Sequence, residues 1–196
     1  MEYVTELSTG DLNDLCDAAE AAIIDGGGFG WLTPPPRETL EAYWRGCLLI
    51  PDRDLFVGRL DGVIAGSSQL HRPPRNNEAQ SFACQFTTSF VAPWARGHGL
   101  ARDLTQIAEN HARDLGFEVM NLDVRETQRA AIRLYEALGF HKFGEHPYYA
   151  RTRDGYVRGL YYFKNLSASA SDIGSDTGSA GGTDSGPDSG MEPGTS

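Results

Sequence analysis

The chain predicts a mixed α/β fold built on one sheet, and three features point to it. Helical and strand periodicities alternate without a regular βαβ repeat, an Asp61-Gly62 pair joins two mid-chain strands, and a Phe/Thr-rich strand runs through a glycine-containing turn into an amphipathic helix. With 196 residues the chain is long enough for one domain with a substantial core and too short for two comfortable ones.

Tyr3 to Leu7 reads as a short first strand. Asp11 to Ile24 carries Leu12, Leu15, Ala19, Ala22 and Ile23 at helical spacing, and Gly26-Gly27-Gly28 ends that helix. Trp31 to Pro36 is a loop, and Pro36 opens a second helix that runs to about Cys47. Leu55–Leu60 and Val63–Leu70 are the two strands of the hairpin, and a turn at Arg72 to Asn77 leads into a long strand, Ala79–Val91. Leu100, Leu104, Ile107, Ala108 and Leu115 form the stripe of a third helix, Val119–Val124 is a fifth strand, and Ala130–Leu138 is a fourth helix that stops at Gly139. Phe140–Phe143 and Gly155–Lys164 bring the expected count to seven strands and four helices.

Residues 1–166 are expected to form the domain. The segment 167–196 repeats Ser, Gly, Asp and Thr around Ile173 and Met191, too little apolar surface to offset ordering entropy, and is expected to be a disordered, solvating acidic tail; a functional acidic tail is the other reading. Asp172, Asp176, Asp184, Asp188 and Glu192 give it −5 of the net −10, leaving −5 on the domain. Neither part has the excess of base that a nucleic-acid binder needs, so no nucleic-acid partner is expected, and the balance mildly favours an amine-bearing partner. No apolar run reaches the roughly 18–20 residues of a membrane span, and Met1 to Val4 lacks the basic flank and apolar core of a signal peptide. Cys16, Cys47 and Cys84 form no CxxC pair and the histidines form no ligand spacing, so the cysteines read as reduced packing residues of a cytoplasmic protein with no metal.

The most informative stretch is Val91 to Ala101. A helix start presents unpaired N–H groups and the positive end of the helix dipole. Gly97, Gly99 and Ala101 would let a pyrophosphate approach those donors, and Arg96 adds a formal positive charge. A plain helix cap is the alternative.

Arg96-Gly97-His98-Gly99-Leu100-Ala101 resembles the R/Q-x-x-G-x-G/A signature of the GNAT N-acetyltransferase superfamily, preceded here by that family's V-x-P as Val91-Ala92-Pro93. Leu122 to Phe140 resembles the family segment L-x-V-x-x-x-N-x-x-A-x-x-L-Y-x-x-x-G-F, with Gln128 where Asn is usual. The resemblance spans about Glu2 to Leu166 and implies the GNAT fold, a seven-stranded mixed, splayed sheet flanked by four helices, with acetyl-CoA as the acyl-donor cosubstrate. It implies that the backbone of Phe90 and Val91 pairs with the pantetheine arm, that Gly97, His98, Gly99, Leu100 and Ala101 donate N–H bonds to the pyrophosphate beside Arg96, and that Gln128 contacts the cofactor.

It also implies roles at the thioester. Tyr135 sits where family members carry a tyrosine near the coenzyme sulfur and is the candidate acid; a core position on an amphipathic helix is the bland reading. Asp123 points opposite to Leu122 and Val124 and occupies the slot of a glutamate base in the ribosomal-protein N-terminal acetyltransferases, the branch the chain most resembles; a solvent-facing or capping aspartate is equally compatible. His146-Pro147-Tyr148-Tyr149 and Asp154-Gly155 also resemble that branch, which makes Tyr148 and Tyr149 candidate acceptor-channel residues, against an aromatic hairpin packed on the sheet. Phe29 and Trp31 are candidates for the opposite wall, and Glu78, Gln80 and Gln85 for polar contacts on a face that alternation alone does not assign. The side chains of His98 and His141 read as surface groups.

The expected reaction is direct acetyl transfer to a primary amine in a ternary complex, since no cysteine lies in either motif to carry an acyl group. Two rivals are a non-catalytic acyl-CoA-binding regulatory domain and a dinucleotide binder; the latter lacks G-x-G-x-x-G after a first strand. The acceptor (a small-molecule amine, a lysine or a peptide N-terminus) stays open, as does a homodimer.

Overall fold

A computed structural model describes residues 1–27, 30–152 and 155–167. Most of the expected tail, and with it Phe29 and Asp154, lies outside the described residues. In chain order the elements are β1 (Glu2–Val4), α1 (Thr9–Ile24), α2 (Arg37–Leu49), β2 (Arg53–Leu60), β3 (Val63–His71), β4 (Ala83–Val91), α3 (Leu100–Asp114), β5 (Val119–Arg125), α4 (Arg129–Ala137), β6 (His141–Thr152) and β7 (Gly155–Asn165). The seven strands form one sheet in the order β1-β2-β3-β4-β5-β7-β6, antiparallel except for the β4–β5 pair. The expected class and element count hold.

Strand alternation puts a helical layer on each face. Leu55, Val57, Ile64 and Phe90 pack against Leu15 and Trp44 of α1 and α2. Phe56, Leu70, Phe86, Met120, Leu122 and Tyr162 pack against Leu104 and Ala108 of α3 and the α4 residue Tyr135. Leu122 and Val124 thus belong to the α3/α4 layer, and Asp123 between them faces the other side of the sheet.

Two irregularities shape the centre. Parallel pairing of β4 with β5 is confined to Ala83–Gln85 against Val119–Asn121, after which the strands part and the Phe86–Val91 stretch turns one edge into the gap. On its other edge β4 pairs Phe90 with Ser67 and Thr87 with Gln69, so Thr88 and Ser89 form a bulge opposite Ser68. Thr88 there has φ 48°, an unusual left-handed conformation for a β-branched residue.

Several boundaries differ from the sequence reading, among them the first strand, which ends at Val4 and not at Leu7. The first helix starts earlier, at Thr9, because Ser8 and Asp11 form a reciprocal capping box. The stretch 78–80 is a 3-10 turn, and the strand begins only at Ala83. The sixth strand continues well past Phe143 to Thr152 although it contains Pro147, because β6 is an edge strand and Pro147 falls where its register with β7 shifts.

Candidate active site

The parting of β4 and β5 opens a cavity of about 1360 Å³, lined by both strands, the starts of α3 and α4, and residues of the α1–α2 connection and of β6. That exceeds the roughly 300–1,000 Å³ of ordinary small-molecule pockets and suits an elongated ligand.

Its end at the start of α3 is made of backbone. Gly99 precedes α3 with φ 81°, a conformation that strains other residues, and no side chain caps the helix. The amides of Leu100, Ala101 and Arg102 are therefore the orphan donors of the helix start, and all three residues line the cavity. A Cβ added to Gly97 or Gly99 would meet nothing within 4 Å, so the approach is open. The start of α4 also lines the cavity, with Gln128 preceding it and making no capping bond. Two helix N-termini and the guanidinium-bearing residues Arg96, Arg102 and Arg129 thus border one space, a donor set that fits the pyrophosphate of coenzyme A. Arg96 is ion-paired with Asp25 at 2.6 Å, and Gln128 Nε2 donates to the Gly26 carbonyl at 3.1 Å. Both contacts tie the end of α1 to the cradle.

Nearer the apex of the split strands, Tyr135 lines the cavity while nearly buried, edge-on to Phe86 and Phe140 with centroids 6.2 and 5.8 Å away. Burial pushes its phenol up to about 12, opposed by a hydrogen bond from Ser89 in the β4 bulge and helped by the negative charge of Asp123. Asp123, on the opposite face of β5, accepts a hydrogen bond at Oδ1 from Gln85 Nε2 (2.9 Å) and at Oδ2 from the Tyr149 hydroxyl. Burial and the Asp123 carboxylate both raise the Tyr149 phenol well above its usual range, so it stays a proton donor. Gln85 is the last β4 residue paired with β5, and its side chain bridges the strands where the backbone ladder ends.

Of the residues singled out from sequence, Phe90, Val91, Arg96, Gly97, Gly99, Leu100, Ala101, Gln128, Asp123, Tyr135, Trp31 and Tyr149 all line this cavity. His98 does not: its ring turns back on the Ala95 and Arg96 carbonyls at 3.2 and 3.1 Å. Tyr148 is also away from it, 68% exposed and edge-on to Tyr156, because side chains alternate along β6 and Tyr149 takes the inward position. Phe29 lies outside the described residues. Nothing in the sequence singles out Tyr43 or Ser89, although both line the cavity. Tyr43 reads as part of a helix stripe, yet it supports Trp31 edge-on at 5.3 Å and lines the cavity; Ser89 acquires its role from a bulge that no local pattern announces.

The acetyltransferase (GNAT) family model matches residues 16–140, and the chain belongs to that family. It is 66% identical over 129 residues to an uncharacterized N-acetyltransferase from the hisH-hisA intergenic region of Azospirillum brasilense, covering 66% of this chain and 77% of that protein. Among solved structures, the ribosomal-protein-alanine N-acetyltransferase of Brucella melitensis superposes with a TM-score of 0.69 at 20% identity over 82% of this chain and 98% of that one. A GNAT phosphinothricin acetyltransferase from Sinorhizobium meliloti, solved with acetyl-CoA, gives 0.69 at 19% identity over 85% and 89%. At those identities the two structures establish the shared fold. The chain is an N-acetyltransferase of the acyl-CoA-dependent class. Among the described residues no helix is long and apolar enough to cross a membrane.

Proposed function

We propose that the protein moves an acetyl group from acetyl-CoA directly to a primary amine within a ternary complex, with Tyr135 and Asp123 as its acid and base. The observation that carries this reading is that the two residues line one cavity from opposite faces of β5, Tyr135 in the α3/α4 layer and Asp123 on the far side. Bound acetyl-CoA supplies the thioester carbon at the point where the strands part. The Arg96 guanidinium and the amides of residues 97–101 hold the phosphates, and the edge of β4 that turns into the cavity at Phe90 and Val91 aligns the pantetheine arm.

An α-amine of pKa about 8 is roughly one-tenth neutral at pH 7, and a lysine amine near 10.4 far less, so proton removal is part of the task. Each Asp123 oxygen accepts one hydrogen bond and keeps a lone pair for the incoming ammonium or for an intervening water. Tyr135 Oη, neutral throughout the physiological range, donates to the sulfur as thiolate charge develops. Tyr149 and Trp31 flank the acceptor, whether a small amine, a lysine or a peptide N-terminus. The buried, unpaired thiols of Cys16, Cys47 and Cys84 suit a reducing, cytoplasmic setting.

The test is thiol release from acetyl-CoA measured against peptides, polyamines, amino acids and aminoglycosides. Acetylation of at least one class, with product mass raised by one acetyl group, is expected. Tight acetyl-CoA binding with no release across the whole panel would instead support a regulatory acyl-CoA binder.

A further inference from the structure

The bond between Tyr149 and Asp123 poses a geometric problem. Tyr149 is on β6, Asp123 is on β5, and β7 lies between them. Strands are spaced about 4.8 Å apart, so the side chain must cross roughly two spacings. It can do so only by lying across β7, and an ordinary side chain on β7 would block the way.

Two features of the chain clear that path. His146 pairs with Gly159 and Ala150 with Val157, so Pro147, Tyr148 and Tyr149 together face the single residue Arg158, and the extra length tips Tyr149 over the sheet. Beneath it is buried Gly159, paired on its other side with Arg125, two residues along the same face from Asp123. A Cβ added at Gly159 would come within 2.7 Å of Tyr149 Cβ and nearer still to ring atoms Cγ and Cδ2. The φ of Gly159 is not positive, so its backbone does not require glycine; the overlying ring does. Tyr161, paired with Asp123, meets the same ring edge-on at 6.1 Å and closes the seat.

We propose that Gly159 is a positioning residue for acetyl transfer: the hydrogen on its Cα is the seat of the Tyr149 ring, and through Tyr149 it fixes the Asp123 carboxylate that Gln85 holds from the other side. This rests on the role given above to Asp123, and its test has an arm that does not depend on activity.

Four full-length proteins are compared: wild type, Gly159→Ala, Tyr149→Ala and the double variant. Gly159→Ala should lower kcat by about 10²-fold, the order associated with a 1 Å misplacement, while the KM for acetyl-CoA is unchanged. Tyr149→Ala should lose about as much, and adding Gly159→Ala to it should cost nothing more, because the methyl group then meets no ring. Should Gly159→Ala fail to fold, the double variant must recover the fold. The activity-independent arm is a titration of ¹³Cζ-labelled tyrosines, with the Tyr149 signal assigned by its loss in Tyr149→Phe. In wild type that signal titrates above the ordinary value near 10, and in Gly159→Ala it falls toward 10 as the bond to Asp123 is lost. An equal further loss in the double variant, or a Tyr149 signal unmoved by Gly159→Ala, overturns the proposal. A panel in which no amine is acetylated overturns the functional reading, and the titration still decides whether Gly159 seats the ring.

Discussion

The two ends of the cavity are built in opposite ways. The end proposed for the phosphates offers backbone amides from one short stretch, Leu100 to Arg102, beside the start of α4. The end proposed for transfer gathers side chains from distant elements: Gln85, Asp123 and Tyr149 from three strands and Tyr135 from α4, with the bare backbone of Gly159 on a fourth strand. A backbone cradle tolerates changes that keep its side chains small, whereas a side-chain centre depends on register, bulges and the absence of a single methyl group. The first should fail all at once when it is filled, and the second should fail by degrees.

Filling the cradle is the largest effect expected. Ala101→Glu puts a carboxylate in the first turn of α3, where it would meet the pyrophosphate and cover the N–H donors. An acidic residue in a first turn is favourable to the helix, so the fold and melting temperature should hold. Calorimetry should detect no acetyl-CoA binding. Affinity equal to wild type in a folded variant would show that the phosphates lie elsewhere.

At the transfer end, Tyr135→Phe removes one hydroxyl and keeps the edge-on contacts with Phe86 and Phe140. Turnover should fall about 10²-fold, the low end of the range for a general acid, because a phenol raised to about 12 is poorly matched to a thiolate. Acetyl-CoA affinity should be unchanged. The sign of the shift gives a second check. The folded state holds this proton more tightly than the unfolded chain, whose phenol titrates near 10. The associated stability is therefore complete below pH about 10 and is lost as pH rises toward about 12. The Tyr135→Phe protein should lack that part of the alkaline loss in melting temperature, and an unchanged alkaline profile would put the raised phenol elsewhere.

The same contrast accounts for what could be read from sequence. Periodicity and turn residues delivered the strand and helix count, and the candidate cradle is legible because Arg96 to Ala101 are contiguous and place small residues at a helix start. Asp123 could be assigned to a face because Leu122 and Val124 flank it on a regular strand. Tyr148 and Tyr149 could not be separated, since which of two neighbours points inward depends on a register shift that sequence does not reveal. Gly159 reads as an unremarkable glycine in a strand until β6 is folded over it. Gln85 has no face in the sequence alone; the end of the β4–β5 ladder gives it one.

One contact joins the two constructions, and relieving it should give a smaller effect. Arg96 is held by Asp25 while it lines the cradle, with side chains 50% and 44% exposed. A bound pyrophosphate must share this cation or take it from Asp25. Exposed pairs of this kind contribute about 0–1 kcal/mol, so Asp25→Ala should tighten acetyl-CoA binding by up to about fivefold. The gain should shrink as salt is raised, because screening weakens the competing pair first where it is most exposed. Weaker binding in Asp25→Ala would mean that Asp25 orients Arg96 for the ligand instead of competing with it.

The smallest effect belongs to the end of the chain, from which neither half of the cavity draws a described residue. Among the described residues the last one anchored in the core is Leu166: its side chain is buried, its N–H donates to the Glu118 carbonyl at 2.7 Å, and its carbonyl accepts from Arg113 Nε at 3.2 Å. A chain ending at Ser167 keeps all three, and the Ser/Gly/Asp composition that follows offers little apolar surface to bury. Its melting temperature and turnover should equal those of the full chain. A chain ending at Asn165 loses a buried leucine and two hydrogen bonds, which together cost on the order of 2–5 kcal/mol, and should melt several degrees lower. Equal melting of the two truncations would mean that Leu166 contributes nothing to the core. A loss already present in the longer one would mean that the acidic segment docks on the domain.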